Sequence, residues 1–262
     1  MDQEKGCITE TVRRRMWGRL VLAWVLGLAF SLPFDADAGS LDLARTAYAE
    51  GRFIEAAGIA EGLGTAAGFM LAARSLQVHG HFIAGTDEVD RYLGQAIDLA
   101  TEAVRADPKN AEAHVQLATA IGRHAEAVGS FEASNRDYGT RIREAAEKAL
   151  ALDPEMAEAH LAMGRWHAGV IDALGSFVAG MLYDASEDAA LEHFERALEL
   201  RPDSKTIMLE CATGLLVLDD GSEHARNLLV RGIGMDSRDA AEALRHAEAI
   251  ERFEALGWTP DP

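Results

Sequence analysis

The chain has 262 residues, 48% hydrophobic and 26% charged, an ordinary globular composition with enough apolar material for one or two domains. Acidic side chains outnumber basic ones by 43 to 25, a formal net charge of −18. Such a field repels phosphate backbones and anionic lipid, which argues against nucleic-acid binding and broad adsorption to membranes and leaves a basic partner electrostatically easiest.

The first expected element is an export signal over residues 1–38. Arg13, Arg14, Arg15 and Arg19 precede the apolar run "LVLAWVLGLAFSLPF" (20–34), and Ala36-Asp37-Ala38 then supplies the small residues of a cleavage site. The run has the length of a signal core and is short for a bilayer span. An uncleaved anchor is the alternative reading, and Pro33 and the A-x-A pattern count against it. Arg14-Arg15 touches the twin-arginine pattern, although the surrounding residues do not fit it. Cys7 precedes the apolar run, so it is not a lipid-bearing cysteine and leaves with the signal. The export context predicts a periplasmic protein whose remaining cysteine, Cys211, has no internal partner. The segment removed holds equal numbers of acids and bases, so the charge stays at −18.

From 41 onward the pattern is helical throughout. "AYAEGRFIEAAGIAEGL" (47–63) reads as a turn at Gly51 followed by a helix, and "TAAGFMLAARSLQVHG" (65–80) as the next. The acidic run "TDEVD" (86–90) opens a helix, where carboxylates favour the positive end of the dipole. Three runs then end in proline: "AIDLATEAVRADP", "IREAAEKALALDP" and "ALEHFERALELRP", at Pro108, Pro154 and Pro202, spaced 46 and 48 apart. Each carries one apolar face: Ala96, Ala100, Ala103 and Val104; Ile142, Ala146, Ala149 and Leu150; Ala190, Phe194, Ala197 and Leu198. Proline disfavours helix in the residue before it and lacks a donor, so each run stops there.

A second stripe follows each proline at spacing 0, 3, 4, 7: His114, Leu117, Ala118, Ile121; His160, Met163, Gly164, His167; Met208, Cys211, Ala212, Leu215. "AEAH" occurs at both 111–114 and 157–160, and "GSF" at both 129–131 and 175–177, in the same register. Toward the end, Asp219-Asp220-Gly221 marks a turn before "SEHARNLLVRGIG", and Ser237 is expected to cap a last helix running to about Leu256, ended by Gly257 and Pro260. No stretch alternates as a strand.

"AALEHFERALELRPDS" resembles the second helix of a tetratricopeptide (TPR) repeat, with the family's small residues at Ala190 and Ala197, its aromatic at Phe194 and its proline at Pro202. "AEAHVQLATAIG", "AEAHLAMGRWHA" and "KTIMLECATGLL" are similar to first helices. The resemblance implies an all-α, right-handed superhelical solenoid over 39–262, of about five TPR-like helix pairs and a C-terminal capping helix, with His114 and His160 as equivalent packing residues. The ordinary period is 34 residues. The longer spacing here is expected to lengthen the first helices to about 18 residues, or about 27 Å, because the apolar stripe continues through Ala125 and Val128, and through Ile171 and Leu174. "LAMGRWHAGV" with "DAALEHFERALEL" further resembles the branch containing the regulators of microtubule dynamics and the periplasmic TPR lipoprotein of tripartite ATP-independent transporters.

Nine histidines raise a metal hypothesis. No HExxH, CxxC or nucleophile–base set is present, so the chain is read as no enzyme, with no metal and no cofactor. His79 and His81 are read as structural, Gly80, Gly85 and Gly94 as punctuation and packing, and Cys211 as a buried hydrophobe. What remains is a surface. In the family's register the concave groove is lined by Gln116, Thr119, Arg123, Arg165, Trp166, Glu210 and Thr213. Arg123 and Arg165 would either fix a carboxylate of a partner or pair with nearby glutamates. Val115 and Thr119 stand where the carboxylate-clamp TPR proteins want lysine and asparagine, so docking of chaperone tails is disfavoured. The apolar run 169–183, charged only at Asp172, is either core or the wall of a ligand groove. The expected role is therefore an exported scaffold for a protein or peptide partner. The alternative is a small-ligand accessory protein beside the solute-binding component of a transporter.

Overall fold

The computed structural model describes residues 36–258. The expected signal lies outside them, apart from 36–38 at the start of the first helix. Thirteen helices and no strand occur among the described residues: α1 (Ala36–Ala49), α2 (Phe53–Glu61), α3 (Ala66–Phe82), α4 (Thr86–Ala106), α5 (Ala111–Val128), α6 (Ser130–Asn135), α7 (Tyr138–Leu152), α8 (Ala157–Leu174), α9 (Ser176–Tyr183), α10 (Glu187–Leu200), α11 (Lys205–Leu218), α12 (Glu223–Ile233) and α13 (Ala240–Ala255). They pack as the pairs α1–α2, α3–α4, α5–α7, α8–α10 and α11–α12, with α13 left over.

The boundaries follow local chemistry. α4, α7 and α10 each stop two residues short of their proline. Two of the helices that come next begin on side-chain caps: Asn110 accepts from the amides of Glu112 and Ala113, and Ser204 from that of Ile207. α13 is capped by Asp239, which accepts from the Glu242 amide at 2.8 Å, and not by the expected Ser237. Ser237 instead accepts from the Lys205 ammonium.

The long period resolves into two devices. α5 and α8 reach 18 residues, and each then breaks at a glycine of the repeated GSF triplet, Gly129 (φ 81°) and Gly175 (φ 76°), a left-handed backbone that glycine adopts freely. A short helix, α6 or α9, follows each break and is itself ended by an aspartate in the left-handed region, Asp137 (φ 54°) or Asp184 (φ 55°). Sequence periodicity anticipated the lengthened helix but not this extra turn of chain.

Alanine fills most inter-helix contacts. Ala96, Ala100 and Ala103 on α4, Ala146 and Ala149 on α7, and Ala190 and Ala197 on α10 are all buried, so the backbones approach closely. Phe194 is one of the few large buried side chains; it seats against Gly164 of α8 and Gly214 of α11, where any side chain would collide with its ring. Cys211 is fully buried beside it, and burial pushes its thiol up to about 12. The run 169–183 is core only in part: Ala179 is buried and Val170, Ile171 and Tyr183 pack against its cluster, while Leu174, Phe177, Met181 and Leu182 are exposed.

α13 does more than cap the last pair. Ala249 and Phe253 join the cluster built around α11 and α12, while Ala241 packs with Phe53 and Val78 of the opening pairs. The helix thus links both ends of the solenoid across its concave side.

Candidate functional site: the concave groove

The first helix of each pair turns one polar stripe inward. α3 contributes Arg74, Gln77 and His81; α5 contributes Gln116, Thr119, Arg123 and Glu126; α8 contributes Arg165 and α11 Glu210. On α5 these fall at spacing 0, 3, 7 and 10, one helix face. Together with α13 they enclose a groove of about 730 Å³.

Four helices meet at one carboxylate. Arg123, Arg165 and Arg245 all donate to Glu210, the last through Nε at 3.2 Å. Glu126 takes Arg123 Nη1 at 3.2 Å and Arg165 Nη2. Burial acts to raise the Glu126 carboxyl, but the adjacent Arg165 and Arg123 outweigh it and hold the group down at about 2. Burial likewise draws the Arg165 and Arg245 guanidinium groups below their usual range. This is a cross-helix ion network in a low-dielectric site, where the attraction is far stronger than at the surface.

The sequence-derived groove residues divide. Arg123, Arg165 and Glu210 converge, and the two arginines are engaged by internal glutamates. Gln116 is buried; in the amide orientation that satisfies both of its atoms, its oxygen accepts from Arg74 at 2.9 and 3.2 Å. Thr119 faces the open groove, half-buried. Trp166 is buried in the wall, its indole donating to the Gly139 carbonyl at 2.7 Å. Thr213 bonds the Leu209 carbonyl of its own helix and lies under α13. Arg74, Glu126 and Arg245 were missed; Arg123-x-x-Glu126 was a legible i, i+3 pair, whereas nothing local tied Arg245 to Glu210.

Arginine and carboxylate side chains line the groove in equal number, six of each, so it is electrically balanced inside a chain of net charge −18. Its chemistry also changes along its length. Toward α13 and α3 it is charged, and toward α6, α7 and α9 it is apolar, with Ala133, Ile142, Val170, Leu174 and Tyr183. No group of three metal-ligating side chains occurs among the described residues. The histidines take packing and hydrogen-bonding roles: His124 bridges Asp90 at 2.7 Å and Tyr138 at 3.0 Å, and His160 meets His193 at 2.9 Å. No described helix is long and apolar enough to cross a membrane.

Paired helices with a concave polar groove define a TPR-type helical repeat protein, a class whose stacked repeats build extended concave binding surfaces. A solved structure of a thermophilic TPR protein from Thermus thermophilus is similar, with a TM-score of 0.56 at 18% identity, covering 82% of this chain and 99% of that one. Residues 71–257 match the family model described as regulator of microtubule dynamics protein 1–3, and the chain belongs to that family. No curated protein matches it.

Proposed function

We propose that the chain is an exported, non-catalytic scaffold that holds a segment of a partner protein along its concave groove. The observation that carries this is the joining of successive repeats at the groove floor: Glu210 of α11 receives Arg123 of α5 and Arg165 of α8, so three repeats share one charge-balanced surface. A preorganised surface binds without the cost of ordering itself. Export rests on the sequence pattern of 13–38. Affinity capture from periplasmic extract tests the reading with Thr119→Trp, which fills the open floor without touching the ion network, and with Arg123→Glu and Arg165→Glu. Capture is expected to fall at least tenfold in Thr119→Trp at unchanged helicity. Undiminished capture in all three variants overturns it.

A second reading has its own support. The volume lies in the range of small-molecule pockets, about 300–1,000 Å³, and the wall at Val170, Leu174 and Ile142 is apolar. The groove would then carry a small ligand with an apolar part, as an accessory to a solute transporter. Native mass spectrometry of purified protein decides it: a co-purifying mass that disappears in Val170→Asp supports the carrier, and its reproducible absence removes it.

A further inference from the structure

The concave side already holds a helix, and that helix is the chain's own. α13 lays Ala241, Leu244, Arg245, Glu248, Ala249 and Phe253 against the repeats, a spacing of 0, 3, 4, 7, 8 and 12 that is one face. Its first half sits on the opening pairs. A Cβ on Gly51 would come within 3.1 Å of Ala240, so only small residues enter there. Its second half sits on the last pair, where Ala249 and Phe253 are buried. Between these ends Arg245 reaches Glu210 at 3.2 Å and Glu248 faces His81 at 3.5 Å.

Apolar contacts hold α13 at both ends: Ala241, Ala249 and Phe253 are buried, and Ala240 and Leu244 pack partly buried beside Phe53 and Val78. The remaining attachments of the helix are polar: the Arg245 and Glu248 contacts, Thr206 donating to Glu242 at 3.4 Å, and Lys205 donating to His246 Nδ1 at 3.0 Å; Lys205 also ties the segment before the helix through the Met235 carbonyl and Ser237. Such contacts are reproduced by any helix that presents the same groups.

We infer that the concave face is a seat for an amphipathic helix, that α13 is its resident occupant, and that a partner helix with two small residues eight positions apart and an arginine midway displaces it. The arginine is specified because Glu210, already holding two guanidinium groups, offers a geometry that suits a planar fork better than an ammonium. This is helix-in-groove recognition by population shift: α13 opens, and the competitor captures the open form. The inference rests on the reading of the concave face as the binding surface, and it names the partner's secondary structure and anchor residues.

The full chain supplies the test. Hydrogen exchange is expected to show α13 amides opening in a step that leaves α5, α8 and α11 protected. A labelled peptide of residues 236–258 is then titrated against the Ala241→Glu/Ala249→Glu chain, whose wedged helix cannot reseat, and against wild type. Binding to the variant is expected to be at least tenfold tighter, because in wild type the tethered copy competes at an effective concentration on the order of millimolar. A peptide with Arg245→Ala is expected to bind at least fivefold more weakly. Phe253→Ala, which removes one anchor without a wedge, serves as the second host. Exchange of α13 only with global unfolding, or no peptide binding to a folded variant, overturns the inference. Peptide binding without any periplasmic capture would remove the proposed partner while keeping the seat.

Discussion

His114 and His160, forty-six residues apart, make the same hydrogen bond: each places Nε2 3.0 Å from the carbonyl oxygen of the proline six residues before it, Pro108 and Pro154. That carbonyl lies in the link between two helices, beyond the reach of either backbone ladder. The imidazole fills the packing position and donates to the carbonyl as well. Replacing either histidine by phenylalanine keeps the packing and loses the bond, an expected cost of about 0.5–1.5 kcal/mol, or a fall of roughly 2–4 °C in Tm per kcal/mol at this size. The loss should be larger at His160, which also bonds His193. Equal melting of His160→Phe and wild type would contradict this.

Stability should decline on mild acidification, and His167 is the main reason. Its Nδ1 accepts from the Ser186 amide at 3.2 Å, which only the neutral ring can do. Burial first, then His193 and Arg143, push this histidine down to about 4, against the pull of Asp184; burial and His160 likewise lower His193. Above the unfolded value near 6.5 both states are neutral and nothing is lost. Below it the unfolded chain takes a proton that the native ring refuses, so stability drains away as pH falls from 6.5 toward 4. Melting between pH 7 and 5, above the window of the carboxylates, checks this. His167→Asn, which keeps an acceptor that does not titrate, is expected to flatten the slope.

The repeat was readable because its signals are local: prolines, small residues at helical spacing and the doubled AEAH and GSF fix the helix pairs and their register. The exposed short helices were not readable. A run such as "GSFVAGMLY" is apolar by composition, yet its short helix, bounded by the left-handed Gly175 and Asp184, leaves Phe177, Met181 and Leu182 exposed. Arg123, Arg165 and Glu210 were legible as inward-facing residues from their stripe positions, since α5, α8 and α11 repeat one register. Their mutual pairing, and Arg245 arriving from α13, depend on how far the solenoid curves, a sum of small rotations that no local pattern encodes. Trp166 lies in the groove wall, and its indole bond to Gly139 joins α8 to α7, a contact that its place in the sequence does not encode.

Phe194 provides a test of packing against propensity. A Cβ on Gly164 would lie 2.6 Å from the Phe194 ring, and one on Gly214 closer still. Glycine to alanine inside a helix ordinarily gains about 1 kcal/mol. Here overpacking, typically about 1–3 kcal/mol, should win, so Gly214→Ala is expected to destabilise. Combining it with Phe194→Leu should recover part of the loss, a non-additivity visible in urea denaturation. A stabilised Gly214→Ala would show that the α8–α10–α11 junction yields more easily than its close contacts imply.

Glu210 carries the last prediction. It is about 10% exposed and receives three guanidinium groups from three other helices. Glu210→Gln preserves shape but removes the charge that all three arginines share, leaving Glu126 to hold Arg123 and Arg165. Removing one partner of a buried ionic network costs about 3–5 kcal/mol, chiefly because the remaining charges stay desolvated. Glu126→Gln should cost less, because its side chain is 46% exposed and solvent screens what it leaves behind. Urea denaturation of both variants, and a double-mutant cycle of Glu210→Gln with Arg245→Gln, separates the two contributions. If Arg245→Gln restores stability to the Glu210→Gln chain, the excess positive charge is the source of the loss; if the two effects simply add, Arg245 and Glu210 are not coupled.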